Sequence, residues 1–157
     1  EPGHTCARGP RCQTDYQGRI SGPLMDRIDL RVDVPAVTPA DLIRPHKPES
    51  SATVAARVAS AREIQRKRFE AAGLFMLTTN AQCSPSMIEA IAEPDAAGLK
   101  LLGDASEHLK LSARAYHRIL KVARTLADLD GEERVGRIHL AEAISYRVPS
   151  DRLLAAV

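Results

Sequence analysis

The sequence predicts a mainly α protein, a helical bundle preceded by loops and one strand. Three observations carry this. Between Leu111 and Leu129, the residues Tyr116, Ile119, Leu120, Ala123, Leu126 and Ala127 fall at i, i+3, i+4, i+7, i+10 and i+11. That is one face of an α-helix. Between Ile28 and Val34, the apolar residues Ile28, Leu30, Val32 and Val34 alternate with Asp29, Arg31 and Asp33. That is the period of a strand with one face in a core. Between the two, Pro35, Pro39, Pro45 and Pro48 crowd residues 35–50, which suits an extended linker.

The elements follow in chain order. Pro2, Gly3, Gly9, Pro10, Gly18, Gly22 and Pro23 make residues 1–23 loop, with a short turn of helix around Asp15–Arg19. In the linker, Thr38 can cap one helical turn that has Pro39 at its first position. A long helix starts at Ser50 or Ser51, both good N-caps. Val54, Val58, Ala61 and Ile64 give it an apolar stripe, and Gly73 ends it. A polar turn holding Asn80 and Cys83 leads to a short helix over Pro85–Ala92, capped by Ser84. After Pro94 a helix is expected near Asp95–Leu109, with Leu99, Leu102 and Leu109 on its buried face. Ser112 caps the strongly patterned helix and Gly131 follows it. The last helix covers about His139–Tyr146, and Pro149 closes it.

Composition bounds the function. The chain has 157 residues, enough for one respectable core. Its 44% hydrophobic and 27% charged content is that of a soluble globular protein. Aromatic residues make up 3% and Trp is absent, so stacking platforms for single strands are scarce. A net charge of +2 does not by itself imply a nucleic-acid partner. No apolar run approaches the roughly 18 residues that span a bilayer. The 3 cysteines are an odd count without a disulfide framework, which suits a reducing, cytoplasmic setting. No G-x-x-x-x-G-K-[ST] phosphate loop occurs, nor an apolar run closed by Asp-Glu to hold magnesium.

Two long blocks carry a family resemblance. Gly18–Val34 reads GRISGPLMDRIDLRVDV, and Leu111–Leu129 reads LSARAYHRILKVARTLADL. The first resembles the S-G-P-L-L-D-R-I-D-L block of the Mg-chelatase-related AAA+ ATPases, in particular their ComM-like competence branch. The second resembles that family's sensor-2 helix. Glu49-Ser50-Ser51 and the run from His139 to Arg147 are smaller echoes.

The resemblance implies a division of the chain. Residues 1–34 would be the C-terminal remnant of an AAA+ core, 35–50 a linker, 51–148 the helical lid and 149–157 a tail. It implies that Arg27 is an arginine finger, acting in trans on ATP held by the next subunit. Such a guanidinium is worth about 10³–10⁵ in rate. It implies that Arg114 is the sensor-2 arginine, reading the terminal phosphate in cis or in trans. Cys6 and Cys12 would be half of a four-cysteine zinc knuckle, with His4 nearby. A loose tail with two free thiols is the plainer alternative.

With Glu1 as its first residue, the chain resembles a C-terminal piece of such a protein, not expected to hydrolyse ATP alone. ATP and Mg2+ are the cofactors implied for the whole protein, with none held tightly by this part. The partners implied are neighbouring subunits of a hexameric ring, and DNA, handled as by a branch-migration helicase in natural transformation. Two alternatives stand beside this reading: the motor subunit of a magnesium chelatase, and a stand-alone helical interaction module. His117, Arg118, Lys121 and Arg124 share a polar stripe with Arg114, and are expected to be a solvated helix side. Arg57, Arg62, Arg66, Lys67 and Arg68 could follow a phosphate backbone, or be balanced by Glu63 and Glu70.

Overall fold

The patterned helix forms as Ala113–Asp130 and becomes the centre of the molecule. The computed structural model describes residues 15, 18–32, 34, 37–43 and 48–147. The expectations placed on His4, Cys6, Cys12 and the tail 149–157 lie outside these residues. Among those described, the elements are α1 (Gly22–Met25), α2 (Pro39–Ile43), α3 (Ser51–Ala71), a 3-10 turn (Asn80–Gln82), α4 (Pro85–Ile91), α5 (Ala96–His108), α6 (Ala113–Asp130) and α7 (Arg137–Ser145). The mainly α class is observed. No helix among the described residues is long and apolar enough to cross a membrane.

Local chemistry explains where the helices start and stop. The hydroxyls of Ser50, Ser84 and Ser112 accept from the backbone N–H groups of Thr53, Met87 and Ala115. Each satisfies a donor that has no partner inside its own helix. Asp95 does the same for Gly98, at 2.6 Å. Gly131 closes α6 at φ 75°, in the left-handed region that favours glycine. There the Glu132 N–H donates to the Ala127 carbonyl at 2.8 Å. Gly73 ends α3 in the same way, at φ 72°.

α6 packs against α3, α4, α7 and the 3-10 turn, and α5 lies on α7. Ile119, Leu120, Ala123 and Ala127 from α6 meet Phe69, Ile88, Leu140, Ala143 and Ile144 in one core. Leu120 is 1% exposed. Leu120→Ala should therefore cost about 2–5 kcal/mol, read from urea unfolding of this chain. A loss under about 1 kcal/mol would mean that the bundle collapses into the space left. At Gly98, α5 lies close against α7. A Cβ there would lie 2.8 Å from Leu140 Cδ1. A parallel bridge joins Pro94 to Val135, tying the start of α5 to the loop before α7.

Several expectations are corrected. The strand expected over 28–34 is not seen: its described residues carry no ladder, and no strand stands among the described residues to pair with. A lone strand has no partners for its backbone groups. Its apolar face stays open, with Leu30 51% and Val32 69% exposed. Gly22–Met25, assigned to loop, is a helical turn; Ser21 caps it and Pro23 opens it.

Val54 and Val58, expected inside, are exposed, as is every residue from Ser51 to Ser60. α3 buries Ala61, Gln65 and Phe69 against the bundle, all in its second half. Leu99 and Leu109 are exposed as well. α5 buries Gly98 and Leu102, one turn apart, and Leu99 stands about 100° around the helix from Gly98. Cys83 belongs to the core rather than to an open turn, and burial pushes its thiol pKa up.

Candidate functional site

Ser112 brings the two candidate arginines to one end of α6. Its hydroxyl accepts from the Ala115 N–H and donates to the Asp26 carboxylate at 2.8 Å. Asp26 immediately precedes Arg27, and Arg114 is the second residue of α6. The Asp26–Arg31 segment therefore lies across the N-terminal part of α6 and the end of α7.

Further polar contacts hold it there. Asp29 accepts from Arg118 at 2.5 Å. Arg147 donates to the Ile28 carbonyl at 2.9 Å and to the Asp26 carbonyl at 3.4 Å. The Arg31 N–H donates to the Tyr146 carbonyl at 2.8 Å. Burial pulls the Arg147 pKa down, against the opposing pull of Asp26 and Asp29. Arg27 itself is exposed. Among the described residues, neither acidic neighbour pairs with it: Asp26 is turned to Ser112 and Arg147, and Asp29 to Arg118.

A groove of about 1050 Å³ runs along α6 beside this segment. Leu30, Pro85, Val122, Leu126 and Leu129 supply its apolar lining, and Arg114, Arg118 and Lys121 its cations, with His117 among them. His117 Nε2 lies 2.9 Å from Glu89 Oε1. Lys121 donates to the Ala81 carbonyl at 2.8 Å. Arg118 is committed to Asp29. Arg114 is exposed, and makes no hydrogen bond among the described residues. A guanidinium without a partner among the described residues, at the positive end of a helix, suits an incoming phosphate oxygen.

Arg124 was expected on this solvated side, and that is corrected. It is 1% exposed. Its Nε donates to Asp128 Oδ1 at 3.1 Å, and its two terminal nitrogens to the carbonyls of Glu132 and Glu133. Asp128 also pairs with Arg68 and accepts from Asn80 at 2.8 Å. Arg68 is thus structural rather than a phosphate contact. The other cations of α3 are largely neutralised, Arg57 by Glu49, and Arg66 by Glu63 and Glu70. His139 caps α7: its Nδ1 accepts from the Gly136 N–H at 2.9 Å, which leaves the proton on Nε2 toward Asp130.

The described residues include no group of three or more His, Cys, Asp or Glu placed to hold a metal ion. Cys6 and Cys12 fall outside the described residues.

Comparison with known proteins places the chain in a family. Residues 48–147 match the family model described as magnesium chelatase, subunit ChlI C-terminal. Residues 1–42 match the model described as magnesium chelatase, subunit ChlI. The chain is 40% identical to the uncharacterized protein YifB of Escherichia coli over 97% of its own length and 29% of the relative's. It is 42% identical to the competence protein ComM of Haemophilus influenzae, over 84% of its own length and 25% of the relative's. An uncharacterized protein of Mycobacterium tuberculosis is 37% identical, over 84% of this chain and 25% of the relative. The chain thus spans under a third of the length of these relatives. With the C-terminal model alone covering residues 48–147 and the other covering 1–42, the chain belongs to the magnesium chelatase family, ComM-like members included.

Proposed function

We propose that the chain supplies two arginines, Arg27 and Arg114, to a ring-forming AAA+ ATPase of the cytoplasm that remodels DNA. The observation that supports this most is Arg114, exposed at the rim of the groove while His117, Arg118 and Lys121, which also line it, are engaged. A sensor must be free of its own fold to distinguish a terminal phosphate from its absence. Its differential contact with ATP and ADP then sets the angle between lid and core. Arg27 would stabilise the charge that builds on the γ-phosphate oxygens of a neighbouring subunit in a hexameric ring. Its planar fork suits this better than a lysine's point charge.

ATP and Mg2+ are the cofactors of the whole protein on this reading. Arg27 and Arg114 are this chain's contacts to the phosphates. The DNA-remodelling part rests on likeness to a competence protein at 42% identity. Metal insertion into a porphyrin is the second reading, favoured by the description of the matched family. ATP turnover of the whole protein with and without branched DNA separates the two. Stimulation by branched DNA is expected, and none at saturating DNA would count against remodelling.

Arg114→Ala gives a sharper test of the site. The side chain is exposed, so melting of the chain should shift by less than about 0.5 kcal/mol. Turnover of the whole protein should fall by about 10²-fold, the usual cost of one lost donor to developing charge. Unchanged turnover, or an unfolded chain, would end the sensor assignment.

A further inference from the structure

The Asp26–Arg31 segment is held by polar contacts while its apolar side chains stay open. Ile28 is 38% exposed and Leu30 51%. Burial therefore contributes little to its placement. What holds it comes from two elements. Ser112 and Arg118 reach it from α6, and Tyr146 and Arg147 from the end of α7. Arg147 is the most enclosed of these, its side chain 8% exposed. Its guanidinium donates to two backbone carbonyls, one on each side of Arg27.

The acidic neighbours give the arrangement its sense. Arg27 has Asp26 before it and Asp29 two residues after it. Either carboxylate, if loose, could fold back on the guanidinium and neutralise it. A neutralised finger has no net charge to offer a phosphate. Ser112 and Arg118 take those two carboxylates away.

We propose that Arg118 and Arg147 are positioning residues for Arg27. They fasten its segment to α6 and α7, and they keep Asp26 and Asp29 from quenching it. Arg27 and Arg114 then move as one body with the bundle. This rests on the finger reading of Arg27 for its catalytic consequence, but the fastening itself is a property of this chain.

The test uses the whole protein, with Arg118→Gln, Arg147→Gln and the conservative Arg118→Lys. Hydrogen exchange is followed on peptides covering 24–32 and 115–127. Loss of these contacts should speed exchange over 24–32 by about tenfold, including the Arg31 amide, and leave 115–127 unchanged. ATP turnover should fall about 10–100-fold in kcat in both glutamine variants, with KM for ATP within about twofold. Arg118→Lys keeps a cation for Asp29 and should recover most of both signals. A merely structural loss would instead speed exchange across 115–127 and would not divide kcat from KM.

Unchanged exchange over 24–32 in both glutamine variants overturns the fastening. Faster exchange there with undiminished kcat, in a protein that Arg27→Ala inactivates, overturns the positioning role and leaves the finger standing. Full turnover in Arg27→Ala itself defeats the finger reading, and the exchange result still decides the fastening.

Discussion

Arg27→Ala is expected to lower ATP turnover of the whole protein by about 10³–10⁵-fold while leaving its fold and nucleotide binding intact. The side chain is exposed, and its acidic neighbours are engaged with Ser112, Arg118 and Arg147, so its removal breaks no ion pair with them. A group acting on the next subunit's ATP leaves its own subunit's phosphate cradle untouched. Mixing supplies the decisive measurement. Arg27→Ala subunits are combined with subunits lacking the phosphate-loop lysine, each dead by itself. Some interfaces in a mixed ring then pair a good cradle with a good finger, and partial turnover returns. Rings shown to be mixed and still silent would exclude action across the interface.

Asp128→Ala is expected to be the costliest change to the stability of the bundle, about 3–5 kcal/mol. Asp128 is 1% exposed and faces two guanidiniums, those of Arg68 and Arg124, together with the Asn80 amide. Removing the carboxylate leaves Arg124 charged and buried without its counter-ion. It also releases Arg68 and Asn80, which tie α3 and the 3-10 turn to α6. Urea unfolding of the chain measures the loss. Replacing Asp128 and Arg124 together by apolar residues of similar size should cost less than Asp128→Ala alone, because no charge is then stranded. A double variant no more stable than the single would show that the cost lies in packing rather than in the unpaired cation.

Much of the bundle was legible because its signals are local. The serines at 50, 84 and 112 act on backbone groups three residues away, so sequence spacing suffices to place them. The α6 stripe marks a helix touched on several sides, and its residues are buried or half-buried as expected. The strand failed for the opposite reason. Alternation at 28–34 is a demand for a neighbouring strand, and no described residue of this chain supplies one. Val54 and Val58 likewise mark a face without saying what would cover it.

Arg124 is the instructive error at the site. Its charge and its spacing of three from Lys121 placed it on the polar stripe. It also lies four residues after Leu120 and three before Ala127, beside the buried row. Asp128, four residues on, was the available sign of a buried pair. Arg114 was legible through resemblance, and its exposure agrees with that reading without testing the role. The contacts of Arg118 and Arg147 with residues 26–29 were not legible. They join positions 89 to 121 residues apart, and no periodicity encodes such pairs.

Half of α3 stands clear of the rest of the molecule, with its first ten residues exposed. At 1.5 Å per residue this is a spoke of about 15 Å, stiffened by its own hydrogen bonds and by the Glu49–Arg57 pair at its outer end. A spoke amplifies rotation. If the bundle swung by about 15°, the scale of a subunit rotation, the tip would sweep through about 4 Å while residues near the pivot barely moved. That sweep is comparable with a whole van der Waals contact. A small change of angle at the Arg114 end could thus be felt as the making or breaking of a contact at Ser51.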